Sequence, residues 1–393
     1  VNGPAVAPPS AGPARCIASA GPLADLVARL GEAPRVALDT EADSLYHYRE
    51  KLCVFQLSFS GLDYIVDPLA GLDLSGLARV LATKPLVIHG ADYDLRLMRA
   101  SLGFRPAAGV FDTMLAAQLL GYRQFGLAAL VERFFGVALS KHGQKSDWSR
   151  RPLSPRQLDY LVLDTRYLLE IAARLEEELR ARGREGWHRE SCARVVAATA
   201  EDSPRNGDAA WRLKGTGRFD RRQLCYLREL WRWRDAEARE ADQPPFKVLV
   251  NEGLCALALD AAAQGERFSL AAVRLPRNCV GRRRAALEAA LRRAGGTPEE
   301  EWPPPLTRSR GERYPVGLLE KLRGECTRLA EELGLEASVI ASRAALVAVS
   351  RRRPRDAEEL AACGPLMRWQ AELLDPRFRP LLGETEGRGS YSP

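Results

Sequence analysis

The stretch Val36–Ala42, V-A-L-D-T-E-A, decides how this 393-residue chain is read. Three apolar residues lead into Asp39 and Glu41, two positions apart. In a strand, side chains alternate between the two faces, so residues two apart share one. A buried strand here would therefore carry two carboxylates on the same face. Anions that close repel, and a fold keeps them when one is protonated or when a cation lies between them. Oxygen-rich clusters of this kind suit Mg²⁺ or Mn²⁺. Such a site needs more oxygen ligands than two.

Pro85–Met98 (P-L-V-I-H-G-A-D-Y-D-L-R-L-M) reads as a short strand, a turn and a helix start, and offers Asp94. Gln157–Leu169 (Q-L-D-Y-L-V-L-D-T-R-Y-L-L) has leucines at helical spacing and reads as an amphipathic helix. Tyr160 and Asp164 are four apart on it, so a phenol and a carboxylate share one helical face. Each residue alone has a plainer reading. Asp39 or Glu41 could be a solvated strand-end carboxylate, and Asp94 a helix N-cap, with Asp92 competing for that role. Tyr160 could be core packing. His89 reads as a hydrogen-bonded structural residue before a ligand, and Asp112 in F-D-T-M-L as a helix cap before a metal site.

The ordered set D-x-E, a His-led turn ending in Asp94, and Tyr-x-x-x-Asp resembles the three exonuclease motifs of the DEDD superfamily in its tyrosine-containing (DEDDy) branch. The intervening text Lys51–Ser58 (K-L-C-V-F-Q-L-S), Phe111–Thr113 (F-D-T), Gly126–Val137 (G-L-A-A-L-V-E-R-F-F-G-V) and Ser146–Pro152 (S-D-W-S-R-R-P) is similar to ribonuclease D. The resemblance implies a metal-dependent 3′-to-5′ exonuclease releasing nucleoside 5′-monophosphates. It implies two divalent cations, Mg²⁺ or Mn²⁺, with Asp39 bridging them, Glu41 and Asp164 completing the nucleophile side and Asp94 supporting the other. Tyr160 would orient the attacking water, since a phenol with an ordinary pKa near 10 is a poor base at neutral pH. Four carboxylates supply the charge and oxygens that two-metal phosphodiester hydrolysis requires.

The remaining composition fits an intracellular enzyme of several domains. The length exceeds what one core usually supports. Eight scattered cysteines form no C-x-x-C pair and only four histidines accompany them, which argues against a zinc site. No apolar run reaches the length of a membrane span. Val1–Arg15 is rich in Pro, Ala and Gly and reads as a flexible tail rather than a signal peptide, so a cytoplasmic location is expected. Lys and Arg equal Asp and Glu at 20 each over residues 1–180, and stand at 38 against 31 over 181–393, so the whole excess of +7 lies in the second half. That half is expected to meet the phosphate backbone, unless runs such as Arg282–Arg284 and Arg351–Arg353 merely face water on helices.

The second half reads as nearly all helical. Glu185–Gly207 is expected to carry the chain away from the nuclease. Trp211–Gly215 (W-R-L-K-G), the text L-R-E-L-W-R-W-R-D-A-E-A-R-E-A-D-Q-P within Leu224–Pro244, and Phe246–Leu257 (F-K-V-L-V-N-E-G-L-C-A-L) resemble an HRDC domain, a helical module shared by RecQ-type helicases and ribonuclease D. On one helix Trp231 and Trp233 point apart, so one is expected in the core and the other on the surface. Gly295–Leu306 (G-G-T-P-E-E-E-W-P-P-P-L) is linker-like. Beyond it, L-A-E-E-L-G-L-E-A-S-V-I-A-S-R resembles a second, more divergent HRDC-like module.

The expected architecture is α/β, a ribonuclease H-like mixed sheet flanked by helices, followed by two all-α HRDC-like bundles. Its expected limits are an N-terminal tail at 1–15, the exonuclease domain at 16–183, a connector at 184–207, the HRDC domain at 208–290, a linker at 291–307, the second bundle at 308–385 and a tail at 386–393. The expected activity is 3′-to-5′ trimming of structured RNA, tRNA 3′ ends foremost, by a monomer without membrane attachment. Two alternatives stand beside it: a DNA exonuclease, since the same carboxylates hydrolyse either backbone, and a binding scaffold whose nuclease site has decayed.

Overall fold

The computed structural model describes residues 12–140, 143–201, 210–305 and 314–383. Residues 1–11 of the expected tail at 1–15, the expected tail at 386–393, and residues 202–207 and 306–307 of the expected connector and linker lie outside the described residues, while Arg15 of the expected tail begins a strand. The chain divides into two compact units, one from the ranges Val1–Ala42, Leu52–Glu201 and Arg313–Pro393, the other from Asp43–Lys51 and Asp202–Glu312.

The first unit is built on a sheet of six strands: β1 (Arg15–Ile17), β2 (Val36–Ala42), β3 (Leu52–Phe59), β4 (Leu62–Val66), β5 (Leu86–Ile88) and β6 (Val110–Asp112). Their order is β1-β4-β3-β2-β5-β6. The β2–β3 and β3–β4 pairs are antiparallel and the other three parallel, so the sheet is mixed, as expected. Helices α1 (Ala20–Glu32), α2 (Ser75–Ala82) and α3 (Asp92–Leu102) share one core with Val36 and Leu38 of β2 and Phe55 and Leu57 of β3. On the opposite face α4 (Thr113–Leu119), α5 (Leu127–Phe135), α6 (Pro155–Arg166) and α7 (Leu168–Ala181) complete the layer, with Ala37 of β2 packed against Leu168 and Ala172 of α7. The strands are apolar on both faces because both are covered.

Glu185–Ala200 does not lead away from the nuclease; it forms helix α8 and packs on it. Its His188 Nε2 donates to the Asp112 carbonyl at 3.0 Å, Arg99 donates to the Thr199 carbonyl at 2.9 Å, and Val195 and Val196 pack on the main core. The buried positions of α8 are His188, Ser191, Cys192 and Thr199. Burial by small and polar groups leaves no apolar stripe, which is why the sequence looks like a connector.

Five further helices join this unit: α13 (Val316–Leu333), α14 (Ala337–Ile340), α15 (Arg343–Arg352), α16 (Ala357–Ala362) and α17 (Arg368–Gly383). They share a core built on Leu322, Ile340, Leu374 and Phe378. This bundle packs on the nuclease: Trp369 stacks on Trp187 of α8 with centroids 4.5 Å apart. Arg184 donates to the Leu119 carbonyl at 2.7 Å and the Leu333 carbonyl at 2.8 Å. Gly121, at φ +79°, lies so near the Gly334 carbonyl that a Cβ there would sit 1.9 Å from its oxygen.

The second unit is helical, with α9 (Arg221–Glu240), α10 (Pro245–Val248), α11 (Asn251–Gln264) and α12 (Gly281–Gly296). An Asp220–Gln223 capping box starts α9. Of the two tryptophans on α9, Trp233 is buried and Trp231 packs partly buried on the same core, so neither is the expected surface ring. The linker-like text begins inside α12, which runs to Gly296. Residues 43–51 belong to this unit: Tyr48 donates to Asp235 at 2.7 Å, and His47 Nδ1 lies 2.7 Å from an Asp242 oxygen. Arg282 pairs with Glu237 and Glu240, Arg283 with Glu237, and Arg284 with Glu288. None of the eight cysteines forms a disulfide. Among the described residues no helix is long and apolar enough to cross a membrane.

Candidate active site

Alternation along β2 fixes the site. Val36, Leu38 and Thr40 face α3, while Ala37, Asp39 and Glu41 face α6 and α7. Helix α6 is set in register by its ends and its flank. Ser154 and Gln157 form a capping box around Pro155, the first helical residue. Leu161 and Val162 pack on Cys53, Val54 and Ile65, and the Ser58 and Thr165 hydroxyls meet at 2.7 Å. Arg166 donates to Asp63 at 2.8 Å. With α6 so held, Asp164 meets Asp39 and Glu41, and one carboxylate oxygen from each lies within 4.8 Å of the others. Asp164 Oδ2 is buried without a hydrogen-bond partner.

Asp94 comes to the same strand from the other side. Helix α3 begins at Asp92, and Asp112 steadies the turn before it by accepting from the Gly90 and Ala91 N–H groups at 3.0 and 2.8 Å. Asp112 also caps α4, accepting from Met114 and Leu115, while His89 Nδ1 lies 2.9 Å from the Thr113 hydroxyl. Both residues therefore have structural tasks. Asp94 caps nothing: it is buried within the first turn of α3 and accepts a short 2.5 Å hydrogen bond from Thr40. It stands outside the group of three carboxylates, yet its charge acts on Asp39.

Electrostatics record the crowding. Burial, then the charges of Asp94, Asp164 and Glu41, hold Asp39 well above the usual carboxylate range. Burial, with Asp164 and Asp94, pushes Glu41 up to about 9. Asp164 is pushed up to about 7 and Asp94 to about 6, in each case first by burial. Tyr160 hydrogen-bonds Asp164; burial and then the charges of Asp164, Glu41 and Asp39 drive its phenol above its ordinary range. A set of desolvated carboxylates that must shed protons to coexist as anions is what a divalent cation relieves. The donor set is all oxygen, which suits Mg²⁺ or Mn²⁺ rather than zinc or copper.

Two contacts at this site escape sequence reasoning. Thr40 lies between the two strand carboxylates and looks like filler, but its hydroxyl holds Asp94. Gly143 lies flat on Tyr160: a Cβ there would stand 2.2 Å from the ring's Cγ. Trp148 also packs against the ring, with centroids 5.9 Å apart. The one available signal was the S-D-W-S-R-R-P text just before α6.

The chain is similar to known proteins over most of its length. A 3′-5′ exonuclease family model matches residues 15–180, and the HRDC domain model matches 223–264 and 316–374. Ribonuclease D of Nitrobacter hamburgensis is 30% identical over 364 residues, covering 91% of this chain and 92% of that protein. Ribonuclease D of Xanthomonas oryzae pv. oryzae is 31% identical, covering 90% and 94%. The crystal structure of Escherichia coli RNase D, described as an exoribonuclease involved in structured RNA processing, superposes with a TM-score of 0.71 at 25% identity, covering 94% of this chain and 99% of that one. A protein from Bifidobacterium adolescentis shares the fold, with a TM-score of 0.78 at 24% identity over 96% and 99%. The carboxylate-bearing sheet, the helical HRDC region and the near full-length identity leave one conclusion: the chain belongs to the ribonuclease D family of 3′-to-5′ exoribonucleases.

Proposed function

We propose that this exoribonuclease trims the 3′ ends of structured RNA precursors in the cytoplasm, tRNA precursors foremost, releasing nucleoside 5′-monophosphates one at a time. Two divalent cations, Mg²⁺ or Mn²⁺, would be held by Asp39, Glu41, Asp94 and Asp164. The meeting of Asp39 and Glu41 from β2 with Asp164 from α6, more than 120 positions later, carries this reading. The Escherichia coli relative, described as acting in structured RNA processing, supports the substrate class.

When bound, divalent cations in such a site acidify water to a nucleophile near neutral pH and stabilise charge on the leaving oxygen. The chain's own residues do the rest. Asp39 and Glu41 present their oxygens from a rigid strand, and Asp164 closes the set from α6. Thr40 keeps Asp94 oriented beside β2. In the metal-free site the surrounding carboxylates oppose a phenolate at Tyr160. Its O–H is therefore a donor that orients Asp164 and the attacking water rather than a base. The division into an exonuclease domain at 16–183, an HRDC domain at 208–290 and a second HRDC-like domain at 308–385 belongs to the same proposal.

The test is digestion of a tRNA precursor with an extended 3′ tail, beside an unstructured RNA and its DNA counterpart, with products resolved by chromatography. Stepwise loss of the tail as nucleoside 5′-monophosphates is expected. Equal or faster digestion of the DNA, or release of 3′-monophosphates, would overturn the proposal.

A further inference from the structure

Buried polar atoms without hydrogen-bond partners are uncommon in folded proteins and call for a reason. Three groups of them gather at the candidate active site: Asp164 Oδ2, both amide atoms of Gln56, and the indole Nε1 of Trp148. Gln56 and Trp148 are each 1% exposed, so water does not satisfy them.

Their placement is specific. In the antiparallel ladder Gln56 of β3 stands opposite Asp39 of β2, and Val54 stands opposite Glu41. Directly opposed residues share a face with their Cβ atoms roughly 4.5–5.5 Å apart, so the Gln56 side chain rises from the same face as Asp39, within reach of its carboxylate. Trp148 packs against Val54, Leu161 and Val162, which brings its indole to the Glu41 end of the same face. Its N–H comes near Glu41 without closing a hydrogen bond of normal geometry. The loop that carries Trp148 is itself anchored: Arg151 donates to the Trp148 carbonyl at 2.8 Å, to the Cys53 carbonyl at 2.8 Å and to both Asp67 oxygens.

Both groups are neutral donors. A lysine or arginine in either place would orient a carboxylate equally well, but its full charge would compete with a cation for the same oxygens. An amide or indole N–H fixes one oxygen and leaves the other free to bind metal. We propose that Gln56 and Trp148 are positioning residues of the metal centre, Gln56 donating to Asp39 and Trp148 to Glu41 once those carboxylates hold a cation. This rests on the reading of Asp39, Glu41 and Asp164 as cation ligands.

The experiment is direct Mn²⁺ binding to the full chain, read from the free Mn²⁺ signal in electron paramagnetic resonance, with no substrate present. Thermal midpoints in chelator are recorded alongside. Gln56→Met keeps the side chain's length and removes its donor; Trp148→Phe keeps a ring and removes the N–H. Each is expected to weaken Mn²⁺ binding by about 10-fold or more, with the metal-free midpoint unchanged or higher. Trp148→His, which retains an N–H, is expected to recover part of the affinity. Asp164→Asn tests the underlying reading: if it leaves Mn²⁺ binding intact, the metal centre itself is misassigned. If Asp164→Asn abolishes binding while Gln56→Met and Trp148→Phe both stay within twofold of wild type, the positioning roles are overturned. The two substitutions lie on separate segments, so a folding failure in one leaves the other as the test.

Discussion

Glu41, Asp164 and Asp94 are pushed up to about 9, 7 and 6, against values near 4 in an unfolded chain. Between those limits the folded protein holds protons that the unfolded chain has lost. The stability they contribute is full below pH 4 and is lost as pH rises toward 9. Thermal melts in chelator from pH 5 to 9 should therefore show a falling midpoint that Mg²⁺ or Mn²⁺ restores. A metal-free midpoint that holds or rises over that range would contradict the crowded-carboxylate account. Tyr160→Phe should slow hydrolysis about 10- to 100-fold while leaving Mn²⁺ affinity near wild type; lost affinity would make Tyr160 part of the metal site. At this scale the D-x-E pair was legible because strand alternation is local and needs no tertiary knowledge. Thr40 was not, since its partner Asp94 lies 54 positions away and either could have been an ordinary surface group.

Among elements, α6 and the segment before it do the most to shape the site. Gly143 leaves room for the Tyr160 ring where any Cβ would overlap it. Gly143→Ala should displace the phenol and cost about 10²-fold in turnover, read against an unchanged melting curve; full activity would show that the segment yields freely. Helix α6 was readable from its leucine spacing and its Ser-Pro start, and α8 was not, because it buries His188, Ser191 and Cys192 instead of leucines. The basic run at the start of α12 meets local acids. Arg283 and Glu237 are both largely shielded from solvent, so Arg283→Ala should lower stability by about 1.5–3 kcal/mol in denaturant titrations. A change in the salt dependence of RNA binding with no loss of stability would return the run to a phosphate-binding role.

For the molecule as a whole, sequence resemblance found the order of modules but not which of them fold together. Local text reveals a helix and its apolar face, whereas the surface that covers the face can come from anywhere in the chain. Trp187 of α8 and Trp369 of α17 stack across 182 positions, and the Leu119 and Leu333 carbonyls share one arginine. A chain ending at residue 312 should thus lose about 10 °C or more of melting temperature, or fail to remain soluble, because the Trp187 surface would be laid bare. An unchanged melt would mean that this packing contributes little. The proposed nuclease centre joins carboxylates from β2 and α6 around divalent metal. Its most direct test is a 5′-labelled single-stranded RNA incubated with wild type and Asp39→Asn in Mg²⁺, in Mn²⁺ and in chelator, resolved at single nucleotides. A ladder shortening from the 3′ end is expected with wild type and metal alone; shortening that persists in chelator or in Asp39→Asn would rule such a centre out.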